Sequence, residues 1–165
     1  QISFESGEKT ERYDVYGFGE LQGSYEKAGD AVRLANDING VVVSEDQQYV
    51  WERGNRDLQY TITGKDDVIE NIRSRLSQNE APVDIMKDIN GRSRDFTGCT
   101  TEELLYVINQ GQPVIAMLDA QNAVILVGYN ETNVIYENVD SGERSSVSYK
   151  EMDQMTTGSG GTYIG

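Results

Sequence analysis

The chain has no histidine, one cysteine, two prolines and one tryptophan among its 165 residues. Without imidazole there is no Ser-His or Cys-His nucleophile pair, since histidine is the side chain that takes and returns a proton near neutral pH. One thiol and no imidazole leave no donor set for a tetrahedral zinc or similar metal site. A lone cysteine also excludes an internal disulfide. No apolar run approaches the ~20 residues a membrane-spanning helix needs, so direct membrane contact is not expected. Positive charge is scarce as well: 14 Lys and Arg stand against 28 Asp and Glu, a net charge of −14. A chain this acidic repels nucleic acid and anionic lipid, and the plainest reading of the charge is solubility. The sequence shows no signal-peptide pattern and begins with Gln1 rather than Met, so the expectation is a mature or truncated piece with any targeting or anchor segment cut away.

What is present is one chain's worth of modest core. Hydrophobic content is 37%, and ten tyrosines supply most of the aromatic surface. The most informative stretch is 111–140, where three apolar runs (113–118, 123–127 and 134–136) are separated by the short polar breaks 119–122 and 130–133. Short Val/Ile-rich runs bounded by Asn, Asp and Gly predict strands. Breaks of this length cannot hold a crossover helix, so the strands are expected to pair antiparallel. Because the runs are nearly continuous in apolar residues, both faces are expected to be covered.

Earlier in the chain, residues 1–11 are polar and expected to fray. Residues 12–18 alternate as a strand, 19–23 read as a loop, and Ser24 as an N-cap. A helix over 25–39 follows, with Ala28, Ala31, Val32, Ala35 and Ile38 on one face and Gly40 as its left-handed stop. Residues 41–44 and 49–52 form a hairpin, which makes the order β-α-β-β. Tyr13, Tyr16, Tyr49 and Trp51 read either as sheet packing or as an exposed aromatic platform for a sugar or peptide.

Residues 58–62 read as a strand. A helix opens at 63–67 with Asp66 and Asp67 in its first turn; Val68, Ile69, Ile72 and Leu76 form its stripe, and Arg73 and Arg75 point outward. Pro82 starts a second helix that Gly91 ends. The tetrapeptide Asp-Ile-Asn-Gly occurs at 37–40 and 88–91, but an EF-hand would need oxygen ligands where Ala35 and Met86 stand, so both read as helix ends. Thr100 with Glu103 is a capping box for a helix reaching about Gln110 that buries Leu104, Leu105 and Ile108. After the three central strands come a turn at 140–143, a strand at 144–149, a short helix at 150–155 and a last strand at 162–164.

Two resemblances attach to these residues. Tyr13-Asp14-Val15-Tyr16-Gly17, Ala28-Gly29-Asp30-Ala31, Gly40-Val41-Val42-Val43 and Tyr49-Val50-Trp51-Glu52-Arg53-Gly54 resemble the N-terminal module of a group of bacterial cell-surface proteins, and more loosely the SPOR-type fold, whose members bind peptidoglycan. Gly111-Gln112-Pro113-Val114-Ile115 and Val124-Ile125-Leu126-Val127-Gly128-Tyr129 resemble the C-terminal half of C39-like, papain-type cysteine peptidases over 97–165. The fold implied is α+β: a small β-α-β-β module over 1–62, then over 63–165 a papain-like antiparallel sheet with helices on one side.

The second resemblance also implies three catalytic positions, a Cys, a His and an Asp or Asn, and in this chain all three are vacant or changed. The histidine position falls on Asn122, whose amide does not titrate. The acid position falls at Glu137 or Asn138. The nucleophile position falls at 63–67, where there is no thiol; Thr61 and Thr63 offer hydroxyls without a base. Cys99 directly precedes the Thr100 N-cap, a place that lowers a thiol pKa, yet it sits before the wrong helix and reads as structural. The expectation is therefore an inactive, non-catalytic binding or scaffold domain on a bacterial cell surface or envelope, with a vestigial groove at Asn122, Glu137, Asn138 and Tyr129 and no cofactor or metal. A peptide, protein or peptidoglycan is the expected partner. Two other readings stand beside it. One is a carboxylate-dependent cell-wall hydrolase, for which Glu137 with Asp140 is the pair on a site rim while Asp66/Asp67 and Glu102/Glu103 read as helix N-terminal acids. The other is a structural spacer.

Overall fold

The computed structural model describes residues 11–165, so the expected fraying of the first ten residues lies outside it. Among the described residues there are two antiparallel sheets and five α-helices, an α+β architecture. The first sheet has the order β2-β1-β3-β4, from β1 (Tyr13–Gly17), β2 (Glu20–Tyr25), β3 (Val41–Ser44) and β4 (Tyr49–Glu52). Helix α1 (Ala28–Ile38) packs on it, with Ala28, Gly29, Ala31, Val32 and Ala35 all buried.

The order here is β-β-α-β-β, which corrects the β-α-β-β expectation. Residues expected to form a loop form β2, and Ser24 is no N-cap: its Oγ donates to Asp14 Oδ1 at 2.6 Å, and Lys27 precedes the helix instead. The connection from β1 is the two-residue turn Phe18-Gly19, with φ of 54° and 79°. Positive φ at both central residues is what a type I′ hairpin turn requires, and Asn-Gly or Asp-Gly is its usual signature. Phe-Gly hid the turn. β2 is also an edge strand with no buried residue, so no alternation marked it. At the end of α1, Asn39 rather than Gly40 takes the left-handed conformation, at φ 56°. Gly40 is needed for closeness: a Cβ there would lie 2.4 Å from Tyr16 O.

The aromatic residues divide. Tyr13 and Trp51 are buried, while Tyr16 and Tyr49 are exposed. Trp51 Nε1 donates to Glu103 O at 2.6 Å, and Asn36 Nδ2 donates to Glu103 Oε2 at 2.7 Å. These bonds tie the first sheet and α1 to helix α4 (Thr101–Asn109), and one buried hydrophobic cluster includes residues of both sheets.

The second sheet runs β10-β6-β7-β8-β9, built from β6 (Val114–Met117), β7 (Ala123–Tyr129), β8 (Asn133–Asn138), β9 (Arg144–Ser148) and β10 (Tyr163–Ile164). The short β5 (Tyr60–Thr61) pairs with Gly128 and Tyr129 at the far end of β7. The three central strands stand where the apolar runs predicted them. Every residue of β7 from Val124 to Tyr129 is buried, so neither face of this strand is open. Helices α2 (Asp66–Ser77) and α4 both pack on it. Each fully buried Ile, Leu or Val there contributes roughly 2 kcal/mol. Helix α3 (Pro82–Asn90) begins with Pro82 and ends at Gly91, φ 78°, and α5 (Tyr149–Met155) is capped by Ser148. The Thr100–Glu103 capping box is present in full.

Candidate functional site

A wide concavity lies at one end of the second sheet. Residues 76–82, which join α2 to α3, form one wall; the β6–β7 turn and the end of β8 form the rest. Its volume is about 1120 Å³, slightly above the roughly 300–1,000 Å³ that ligand clefts usually occupy. Leu76, Met117, Leu118, Ala123 and Val124 supply an apolar floor, and Glu80, Asp119 and Asp140 supply charge.

Each wall has a visible local cause. In the β6–β7 turn, Asp119 Oδ1 accepts from the backbone N–H of Gln121 and of Asn122, both at 2.8 Å. Asn122 Nδ2 donates to both carboxylate oxygens, at 3.1 and 2.9 Å. These donors, the Asn122 side chain first, hold the Asp119 carboxyl below the usual carboxylate range. Asn138 braces the turn after β8: its Nδ2 donates to Glu143 O at 3.0 Å, and its carbonyl accepts from Gly142 N–H at 2.9 Å. Arg75 holds the remaining wall by donating from Nε to Glu80 Oε1 at 2.9 Å and from Nη1 to Asp88 Oδ2 at 2.7 Å, which ties α2 to the connector and to α3.

Of the four groove residues expected from sequence, Asn122 and Asn138 line this cleft, and Glu137 and Tyr129 do not. Glu137 is buried between two guanidiniums. Arg144 Nε lies 3.2 Å from Oε1 and Arg73 Nε 3.8 Å from Oε2. Arg73, expected to point outward, is instead mostly covered, and its Nη1 also donates to Val139 O at 3.0 Å. Both Glu137 oxygens thus pair with arginines, and of the Glu137/Asp140 pair only Asp140 lines the cleft. Tyr129 sits at the opposite end of β7. Its hydroxyl lies 2.7 Å from Asp57 O and from Asn109 Oδ1, and the Arg56 guanidinium stands 5.2 Å from its ring centroid.

The positions that would carry nucleophile and base are also apart. Lys65, within the 63–67 segment, donates from Nζ to Gly111 O at 2.6 Å, which places the start of α2 at the open end of the β6–β7 hairpin. Asn122 is in the turn that closes the other end. The hairpin's length puts them on the order of 20 Å apart. It is the C-terminal end of α2, Leu76 and Ser77, that meets the Asn122 turn.

Cys99 fits the expected structural reading, and only the lowered pKa expected from its place before the N-cap is corrected. It is buried, its Sγ donating to Gly29 O at 3.7 Å. Burial, and then the Glu103 carboxylate, push its pKa up rather than down. Thiolate is the reactive form. Native protein at pH 8 should therefore resist alkylation by iodoacetamide for as long as it stays folded, and should react once urea unfolds it; rapid native labelling would show an accessible thiol.

A second, smaller cavity of about 430 Å³ lies between Trp51, the 52–58 loop and the start of α4, lined by both arginines and glutamates. Among the described residues no group of three or more His, Cys, Asp or Glu could hold a metal ion, and no helix is long and apolar enough to cross a membrane. The 76–82 wall and the Arg73–Glu137–Arg144 group escaped sequence reasoning. The break at Asn79-Glu80-Ala81-Pro82 marked a wall-forming connector, but nothing in its composition pointed to Asn122. Comparison with family models, curated proteins and solved structures finds no match to this chain.

Proposed function

We propose that this chain is a non-catalytic binding domain of a bacterial cell-surface protein, and that its ligand seats in the cleft between the α2–α3 connector and the β6–β7 turn. The observation that carries this reading is a cleft of about 1120 Å³ with an apolar floor and no thiol, imidazole or amine in its lining. The hydroxyls present are occupied locally: Ser77 Oγ donates to Ser74 O at 2.6 Å, and Ser141 Oγ accepts from Glu143 N–H at 3.1 Å. A surface that can enclose a ligand but has no activated nucleophile is suited to holding it unchanged. The partner classes in this reading are a peptide, a protein or peptidoglycan.

Likeness to C39-like, papain-type peptidases supports descent from a peptide-handling fold. The distance between the 63–67 segment and Asn122 argues that the present cleft is not the ancestral catalytic groove. A purely structural spacer would not need the open floor.

The test is a plug. Ser77 is exposed and lines the cleft, so Ser77→Trp should fill it without disturbing the core. Peptides of varied charge and soluble wall fragments would be titrated into wild type and variant. Wild type should bind a member of the panel without turnover, and the variant should lose about tenfold in affinity, about 1.4 kcal/mol. Binding that Ser77→Trp leaves untouched would place the ligand elsewhere, and release of cleaved product would overturn the non-catalytic reading.

A further inference from the structure

Resting on the reading above, we infer that the occupant of this cleft is a cationic peptide segment, an extended stretch in which Lys or Arg flanks an aliphatic residue. The lining combines three features that together fit this class. Leu76, Met117, Leu118 and Val124 form an apolar floor that takes an aliphatic side chain. Glu80, Asp119 and Asp140 stand around it, and no Lys or Arg lines the cleft. The side-chain amides of Asn79 and Gln121 have no hydrogen bond among the described residues, which leaves them to pair with the main chain of a peptide.

The three carboxylates differ in what already holds them. Glu80 shares Arg75 with Asp88. Asp119 is held by neutral amide donors, so its charge is oriented but not cancelled. Asp140 is exposed and has no ion pair among the described residues. The local balance is therefore negative, and the chain's net charge of −14 steers a cation toward it from a distance. An anionic polymer would meet like charge, and a neutral glycan would leave the carboxylates without partners.

The experiment is fluorescence anisotropy on the whole chain with three labelled peptides of equal length: alternating Lys and Leu, alternating Gln and Leu, and alternating Glu and Leu. A soluble glycan fragment serves as competitor. The Lys peptide should bind at least about tenfold tighter than the Gln peptide and weaken as salt is raised. Asp140→Asn should weaken it several-fold, and Glu80→Gln with Asp140→Asn about tenfold. Glu20→Gln with Glu26→Gln, the same change in net charge outside the cleft, should leave it within about twofold.

Equal weakening by the two double variants would reduce the effect to overall acidity and overturn the inference. If the Gln peptide binds as tightly as the Lys peptide and Ser77→Trp abolishes both, charge selection is gone but the binding cleft stands. Displacement by the glycan at concentrations where peptides fail would give the cleft to a sugar. No binding by any probe would remove both readings together.

Discussion

Gly29→Ala should destabilise the protein by about 2–3 kcal/mol, the price of overpacking against backbone that cannot yield. Helix propensity alone argues the other way, since alanine is favoured over glycine by at most about 1 kcal/mol. Packing wins because of what lies over the residue. A Cβ at position 29 would lie 2.5 Å from Thr97 O and 2.8 Å from Phe96 C. Neither side has room to retreat. Gly29 N–H donates to Asp95 O at 2.9 Å, and Phe96 N–H donates to Tyr163 O at 2.8 Å. Phe96 itself is 1% exposed. Pushing α1 away would also pull Gly29 O from Cys99 Sγ. Urea denaturation should show a lower midpoint, and native alkylation of Cys99 should speed up. A midpoint equal to or above wild type would mean that the contact between α1 and the 95–97 segment is looser than described.

The second large effect is expected at Glu137. Removing one member of a buried ion group strands the others, at a loss of about 3–5 kcal/mol for a fully buried pair. Arg73 and Arg144 keep 25% and 36% of their side-chain surface in contact with solvent. Water screens that part, and Arg73 keeps Glu70 so that Arg144 alone is stranded; Glu137→Ala should therefore fall below the range, at about 2 kcal/mol. Glu137→Gln retains an oxygen for Arg144 and should lose less. Arg73 also pairs with Glu70, its Nη2 lying 2.5 Å from Oε1, so in a double-mutant cycle Arg73→Ala should have only a modestly smaller effect in the Glu137→Ala background than alone, by the share that the Arg73–Glu137 contact contributes. Simple additivity would show that the two groups do not act on one another. Since Arg73 also donates to Val139 O, hydrogen exchange at residues 139–142 should rise in Glu137→Ala. That segment walls the cleft, so the same variant tests whether the wall is held from beneath.

The two sheets were unequally legible. The β6–β8 core could be read directly, because each strand is short, β-branched and bounded by polar turns that local chemistry enforces. The Asp119–Asn122 and Asn130–Asn133 breaks are made by Asn and Asp side chains bonding their own backbone, a signal that needs no distant partner. The start of α4 and the end of α3 were equally local, as the Thr100–Glu103 box and Gly91 show, whereas neither end of α1 falls where Ser24 and Gly40 placed it. β2 was missed because an exposed edge strand buries nothing, and because Phe18 adopts a backbone state that composition does not announce for an aromatic residue.

Charge and side-chain inventory by themselves decided what chemistry the chain lacks: a protein without imidazole and with one thiol has no proton shuttle of the Ser-His or Cys-His kind, whatever its fold. They also decided the central strands, since period and turn residues are local properties. Only the tertiary structure decided which carboxylates face solvent and which face arginine, and that Cys99 is sealed under α1. It alone brought the end of α2 to Asn122 while carrying the start of that helix to the opposite end of the hairpin. The physical reason is distance along the chain: contacts between residues tens of positions apart depend on how helices and sheets pack, and no short window of sequence contains both partners.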